Sequence, residues 1–344
     1  MRFALEQPPT IGNHLDKMGK PLDHIGKALD HIGKALDDRL DERLGLSRRA
    51  LAALCAAGRV RAIAAGERSG RAILDGRPRL SDTIRLVVLE PGVDPRVLAE
   101  DLPLGVLFDD DALLLVDKPA GMPTLPGVGH PAGTLANALR GLLVREGGAL
   151  SAVEGPLRPG IVHRLDIGTS GVLAIARTDG SHRALADQFR AHTIERRYLA
   201  VVRGEPSWDE LTVESRLARR RAGRRAFASV TPDRPSAESK HALTFLRVLR
   251  RHAGLALVEA RPATGRTHQI RVHLAESGHP LIGDTEYGGA EARHIAHRLG
   301  LVRPALHARE LGLRHPSTDL PIAARAPIPP DLARTGFFLA SDPW

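Results

Sequence analysis

From residue 104 to about residue 335 the sequence alternates short apolar runs of strand character with turn signals. "GVLFDDDALLLVDKP", "RRYLAVVRG", "HALTFLRVL" and "LALVEARPATG" are such runs, while only "PAGTLANALRGLLVRE", "SHRALADQFRAH" and "THQIRVHLAESG" read as helices. Strands joined directly by turns pair antiparallel with their neighbours, whereas a doubly wound parallel sheet needs a helix in every crossover. The pattern therefore predicts an α+β domain over 104–340, built on a mixed, largely antiparallel β-sheet.

The preceding residues divide in three. Residues 15–35 repeat nearly identical heptads, "LDKMGKP", "LDHIGKA" and "LDHIGKA". Their a/d pattern, with Leu15, Leu22 and Leu29 alternating with Met18, Ile25 and Ile32, suits a short coiled coil. Each heptad also carries a glycine, which costs roughly 1 kcal/mol in a helix, and Pro21 breaks the series. Residues 1–35 are therefore expected to be a disordered, dispensable extension. Residues 36–92 read as a small α/β module: two helices, the second capped at Ser47 and stopped at Gly58, then short strands around an Asp75-Gly76 turn. A proline-rich linker, 93–103, leads into the large domain.

At 344 residues the chain has room for two domains and a sizeable core. No apolar run approaches the length of a membrane span, and "MRFALEQPPTIGNHLDK" lacks the apolar stretch of a signal peptide. The single cysteine, Cys55, excludes an internal disulfide and suits a reducing cytoplasm, the expected location. A net charge of +9 favours a polyanionic partner. The basic residues are nearly all arginine, which pairs with phosphates and stacks on bases, although a GC-rich genome enriches arginine as well. The run "RLARRRAGRR" (216–225) fits a solvated loop and a phosphate contact equally.

Several chemistries lack their motifs. "GTSGV" is no nucleophile elbow, because Val172 stands where glycine is required, and neither a P-loop nor H-E-x-x-H occurs. His268, His273 and His279 are spaced by five and six residues, which does not stack them on one helix face, so no metal is expected. Two segments remain. "HRLDIGTSGVLAIAR" carries one carboxylate, Asp166, in a polar turn between strand-like runs. In "RPATGRTHQIRVHLAESGHPLIGDTEYGG" a glycine turn opens a helix, with Thr267 as its expected cap and Gly278 as its stop. Arg271 falls in its first turn, beside an Ile270–Leu274 apolar stripe. An arginine on a core-facing helix needs a counter-charge, and Asp166 is the expected partner, held ionised by the guanidinium.

Taken together, these segments resemble the RluA family of pseudouridine synthases over most of residues 104–335. The matching stretches are "LLLVDKPAGMPT", with Lys118; "HRLDIGTSGVLAIAR"; Tyr198 in "RRYLAVVRG", with Lys240, Ala242 and Thr244 in "SKHALTFLRV"; "GRTHQIRVHLAESGHPLIGDTEYG"; and "LHARELGLRHP". One departure is Ile167-Gly168, where the family usually carries a lysine and an acidic residue. Residues 36–92 resemble the S-four RNA-binding module through Arg39-Leu40-Asp41, Ser47-Arg48-Arg49, Gly58-Arg59-Val60 and a final strand Ile84–Val88. The glycine-rich segment 64–70 departs from that module's tight hairpin.

The resemblance implies the pseudouridine synthase fold and an isomerase that detaches uracil N1 from ribose, turns the base and rejoins it through C5. No atoms are lost, so no cofactor is expected. Asp166 would be the catalytic carboxylate, as nucleophile or as base, with Arg271 pairing with it and Tyr198 stacking on the uracil. Arg164 would fill the space left by the flipped uridine. His163, Thr169 and Ile270 would be substrate-binding, Ile270 serving equally as core. Lys118 and Lys240 fit either a structural role or a phosphate contact. A module that binds RNA ahead of such a domain suggests large-subunit ribosomal RNA as the substrate, with transfer RNA second, and a monomeric enzyme. The competing classes are a non-catalytic RNA-binding or ribosome-assembly protein, which the intact motifs disfavour, and a metal-dependent hydrolase using the histidines.

Overall fold

The structure, a computed structural model, describes residues 97–127, 129–219, 227–230 and 238–338, together with the strand backbones at 3–5, 60–64, 71–72 and 84–88. It divides into two compact units. In the first, β1 (Phe3–Leu5), β2 (Val60–Ala64), β3 (Arg71–Ala72) and β4 (Ile84–Val88) form a sheet in the order β1-β4-β2-β3, with β1 parallel to β4. The strand expected at Ile84–Val88 is β4, and segment 64–70 lies between β2 and β3. The heptads, the two helices expected within 36–92 and residues 220–225 of the basic run 216–225 lie outside the described residues, while 216–219 of that run close β9. The same unit holds α1 (Leu135–Glu146), which Thr134 opens with a capping box completed by Asn137.

The second unit carries a ten-stranded sheet: β5 (Gly105–Asp109), β6 (Leu113–Lys118), β7 (Ser170–Ala176), β8 (Glu195–Arg203), β9 (Glu210–Arg219), β10 (Phe227–Ser229), β11 (Lys240–His252), β12 (Leu255–Pro262), β13 (Leu306–Arg314) and β14 (Pro321–Arg325). Its order is β10-β9-β11-β12-β8-β13-β7-β6-β5, with β14 paired to β13. Every pairing is antiparallel except β13 with β7. The expected mixed, largely antiparallel sheet is the observed one. Outer strand β9 alternates more and less exposed residues over most of its length, whereas β7 is buried throughout because both of its faces are covered.

The helices of this unit are α2 (Asp179–Arg190), α3 (Gln269–Glu276), α4 (Gly289–Arg298) and the short α5 (Pro330–Ala333). Leu185 of α2 packs on Leu113, Leu115 and Val172, Ile270 and Leu274 of α3 cover Ala200, Val258 and Ala260, and Ala296 of α4 meets Leu199, Val201 and Leu257. A leucine or isoleucine buried in this way is worth roughly 1.5–3 kcal/mol. No helix among the described residues is long and apolar enough to cross a membrane.

The parallel β7–β13 pairing sits directly after the Asp166 turn and aligns Ser170 with His307 and Gly171 with Ala308. Gly171 has φ +118°, and a Cβ there would stand 2.1 Å from the Ala308 carbonyl oxygen. Only glycine lets the two backbones approach this closely. Gly171→Ala is expected to destabilise the protein by more than about 2 kcal/mol, read as a lower urea midpoint at unchanged slope; an unchanged midpoint would contradict the close approach.

Three histidines are held neutral inside this unit. His163 Nε2 accepts the Ala174 amide at 2.9 Å, His273 lies between Thr244 Oγ1 at 2.9 Å and Ser215 Oγ at 3.0 Å, and His307 Nδ1 meets Ser170 Oγ at 2.9 Å. Burial pushes their pKa values down from 6.5, to about 3 for His163, where Arg196 adds to the effect, and to about 4 for His273 and His307. As pH falls through 6.5 the unfolded chain takes up these protons and the folded chain does not. The stability held by these sites is therefore full above about pH 6.5 and declines towards about pH 4. Urea midpoints should fall steadily across that window, and the slope should be shallower in His307→Asn.

Candidate active site

The turn that carries Asp166 is held by its own backbone. Thr124 Oγ1 donates to the Leu165 carbonyl at 2.9 Å, and the Thr169 amide donates to the Asp166 carbonyl at 3.0 Å. The Ile167 carbonyl accepts from the Gly121 amide at 2.8 Å and from Lys118 Nζ at 3.4 Å. The Gly168 carbonyl accepts from Arg303 Nη1 at 3.2 Å. Four successive carbonyls are thus engaged, which leaves the Asp166 side chain as the group the turn presents.

Lys118 is completely buried at the end of β6 and also donates to the Pro119 and Met122 carbonyls, each at 2.8 Å. Burial, followed by the nearby Arg303, pushes its ammonium down to about 7 against the opposing pull of Asp166. Of its two expected roles, the phosphate contact is therefore corrected: Lys118 ties the Asp166 turn to the strand before it. Arg303 does the same from the other side, with its Nε and Nη2 forked on Asp331 at 2.6 and 2.8 Å.

The second segment delivers Arg271. Thr267 does not cap α3; the N-cap is His268, in a left-handed conformation with φ 59° and ψ 15° and without a side-chain cap bond. The turn is braced instead by buried Gln269, whose Oε1 accepts from Thr264 Oγ1 at 2.7 Å and the Arg266 amide at 3.0 Å, while its Nε2 donates to the Leu243 carbonyl and Thr244 Oγ1. The helix stops as expected, before Gly278.

Arg271 is buried, and its principal counter-charge is not Asp166. Its Nε and Nη2 fork onto Asp284 at 2.7 and 2.8 Å, and Nη2 also reaches Glu286 at 3.2 Å. Asp166 Oδ2 lies 3.5 Å from Nη1, a looser ion pair. Burial opposes the charge of the guanidinium, but Asp284, then Asp166 and Glu286, raise its pKa further above the ordinary range. Burial likewise opposes ionisation of Asp284, and Arg271 with the amides of Tyr287 and Glu286 holds its carboxyl below the usual value. The Arg271 guanidinium also lies 4.9 Å from the centre of the Tyr287 ring.

These groups meet in an open cleft lined by Arg164, Asp166, Thr169, Tyr198, His268, Ile270 and Arg271 among others. Arg164 is exposed at its rim, and Ile270 serves both the lining and the core. Tyr198 projects from β8; burial raises its hydroxyl pKa, with Arg196 acting in the opposite sense. Two expected site residues stand elsewhere. The His163 ring stacks 4.5 Å from Phe189 and spends Nε2 on a backbone amide, so it supports β7 and does not line the cleft. Lys240 is exposed at the start of β11, also outside the lining. His268, His273 and His279 have separate partners, Tyr287, Thr244 with Ser215, and the Arg203 carbonyl, and no group of metal-ligating side chains converges among the described residues.

Residues 112–276, which hold β6 through α3, match the family model described as RNA pseudouridylate synthase. A Zymomonas mobilis protein named ribosomal large subunit pseudouridine synthase D is 43% identical over 235 residues, covering 68% of this chain and 72% of the relative. A Xanthomonas campestris protein of the same name is 41% identical over 292 residues, covering 80% of this chain and 83% of the relative. The solved structure of human RNA pseudouridylate synthase domain containing 1 superimposes with a TM-score of 0.53 at 25% identity, covering 67% of this chain and 86% of that one. The chain belongs to the RluA family of RNA pseudouridylate synthases and is an RNA pseudouridine synthase, an isomerase.

Proposed function

We propose that the chain isomerises uridine to pseudouridine in large-subunit ribosomal RNA, with Asp166 as the catalytic carboxylate. The observation that carries this reading is the Asp166 turn: a carboxylate facing an open cleft, with the backbone on both sides of it clamped and a single loose ion pair to Arg271. The names of the Zymomonas and Xanthomonas relatives support the ribosomal substrate.

The chemistry follows from the parts. A stacked uridine must be extruded before a side chain reaches C1′ or C2′, and exposed Arg164 at the rim is placed to occupy the vacated space. When the N1–C1′ bond breaks, its electron pair leaves with the uracil. Asp166 either captures C1′ or takes a proton from C2′, and both routes need a carboxylate fixed within about 3 Å of the sugar. After the base turns, C5 bonds to C1′ as the Asp166–C1′ bond breaks, or as Asp166 returns its proton to C2′; C5 then loses its proton and N1 gains one, so no co-reactant is consumed. Tyr198 flanks the base and is placed to assist loss of the C5 proton.

Asp284 is a positioning residue in this scheme. Its fork occupies Nε and Nη2 of Arg271 and turns Nη1 towards Asp166.

Carbodiimide mapping of pseudouridines in ribosomal and transfer RNA, from cells with and without the gene, tests the substrate. A ribosomal site lost with the gene is expected, whereas loss confined to transfer RNA overturns the ribosomal reading. Asp166→Asn should lower the single-turnover rate about 10³-fold or more at nearly unchanged RNA affinity; full restoration of the site by this variant would overturn the assignment. Asp284→Ala leaves Arg271 without its main partner and should destabilise the protein by about 3–5 kcal/mol. Asp284→Asn, which keeps the shape, should fold with a depressed rate.

A further inference from the structure

Breaking the N1–C1′ bond places a negative charge on the departing uracil, shared among N1, O2 and O4. A preorganised donor aimed at one of those oxygens lowers the barrier more than a contact made equally before and after cleavage. Asp166 is an acceptor, and Arg271 directs its N–H groups at three carboxylates.

His268 has the required construction. It lines the cleft with Asp166, and its backbone is held left-handed, a costly conformation for a residue other than glycine. Tyr287 Oη accepts the Phe227 amide at 2.8 Å and lies 2.9 Å from His268 Nδ1. Glu286 Oε2 lies 3.3 Å from the same nitrogen, and two tautomers are compatible with these contacts; in one of them Tyr287, its oxygen accepting from Phe227, gives its own proton to Nδ1 and the imidazole hydrogen is on Nε2. The rings of Phe227 and Tyr287 stand edge-on to the imidazole at 5.7 Å each and fix its plane. Burial pushes the His268 pKa down against Asp166, which raises it; Arg271 lowers it further, and Glu286 and Asp284 oppose that. Nε2 makes no hydrogen bond to any described residue.

We propose that His268 takes the tautomer with its hydrogen on Nε2 and is a substrate-contacting residue whose Nε2–H donates to a carbonyl oxygen of the flipped uracil, stabilising the charge that develops there as N1–C1′ breaks. The assignment rests on the reading of the cleft as the uridine site. It adds a neutral donor on the base side of the bond to the carboxylate on the sugar side.

The test uses the full chain and a transcript containing the mapped uridine. Asparagine tolerates the left-handed backbone but is too short to place a donor at the Nε2 position, whereas glutamine reaches it. His268→Asn should lose about 10²–10³-fold in single-turnover rate with RNA affinity within about threefold of wild type, and His268→Gln should recover part of the loss. Transcripts with 2-thiouridine or 4-thiouridine at the target replace one carbonyl oxygen by a poorer acceptor. One of them should slow the wild type and cost His268→Asn nothing further. Should His268→Asn fail to fold by its melting curve, the thio substrates are compared between wild type and His268→Gln. A rate for His268→Asn within about threefold of wild type, or thio effects of the same size in wild type and variant for both substrates, overturns the proposal. Activity in Asp166→Asn would instead overturn the reading of the cleft, so the two failures are told apart.

Discussion

A guanidinium buried in a protein core must be neutralised, and the way Arg271 is neutralised organises everything around the cleft. Its fork is committed to Asp284, a residue with no exposed surface whose Oδ1 also accepts the amides of Glu286 and Tyr287. The Asp284–Tyr287 turn is thereby fixed to α3, Tyr287 is brought onto the guanidinium and against His268, and Nη1 is left facing Asp166. Had Asp166 taken the fork itself, both of its oxygens would be occupied and its reach towards a ribose reduced. Distributing one cation over three carboxylates fixes the arginine and leaves the Asp166 carboxylate only loosely bound.

A similar economy governs the turn. Two cations, Lys118 and Arg303, are buried beside the same short segment, and Arg303 adds to the effect of burial in lowering the Lys118 pKa. What they share is backbone carbonyls: Lys118 takes those of Pro119, Met122 and Ile167, and Arg303 takes those of Gly168, Pro304 and Leu306. A loop can hold a reactive side chain with the precision of a strand only if its peptide groups are fixed in this way, because its own ladder is absent. The mutual repulsion is offset by Asp331 on Arg303 and by the pull of Asp166 on Lys118.

Much of this was legible in the sequence, and the remainder divides by cause. The strand runs and the stop of α3 follow from local patterns, which depend on neighbours a few residues away, while Asp166 stands out only through the resemblance of its segment to the family. The partners Asp284 and Asp331 do not, because the fork that matters joins positions 13 and 28 residues apart through the tertiary fold. Thr267 has the chemistry of a cap, yet Gln269 satisfies the turn and His268 absorbs the left-handed step, a contest local propensity does not decide. Lys118 reads equally as a structural residue and as a phosphate contact until its complete burial is seen. Helix α4 is absent from the expected helices although Ala292, Ile295, Ala296 and Leu299 make an apolar stripe at helical spacing.

The two departures from the family segment have different physical standing. Ile167 is 41% exposed, and its contribution to the turn is made by its carbonyl, which any residue supplies. The side chain at 167 is therefore free to vary without disturbing the turn. Gly168 is enclosed: a Cβ there would stand 2.7 Å from Pro304 Cδ, on the residue that follows the arginine holding the Gly168 carbonyl. An acidic side chain at 168 cannot be restored without moving Pro304, and moving Pro304 disturbs the Arg303 contact that fixes the turn. Position 168 is thus coupled to position 304 through packing and to Asp166 through the backbone, and the departure at Gly168 belongs to the scaffold of the carboxylate rather than to its chemistry.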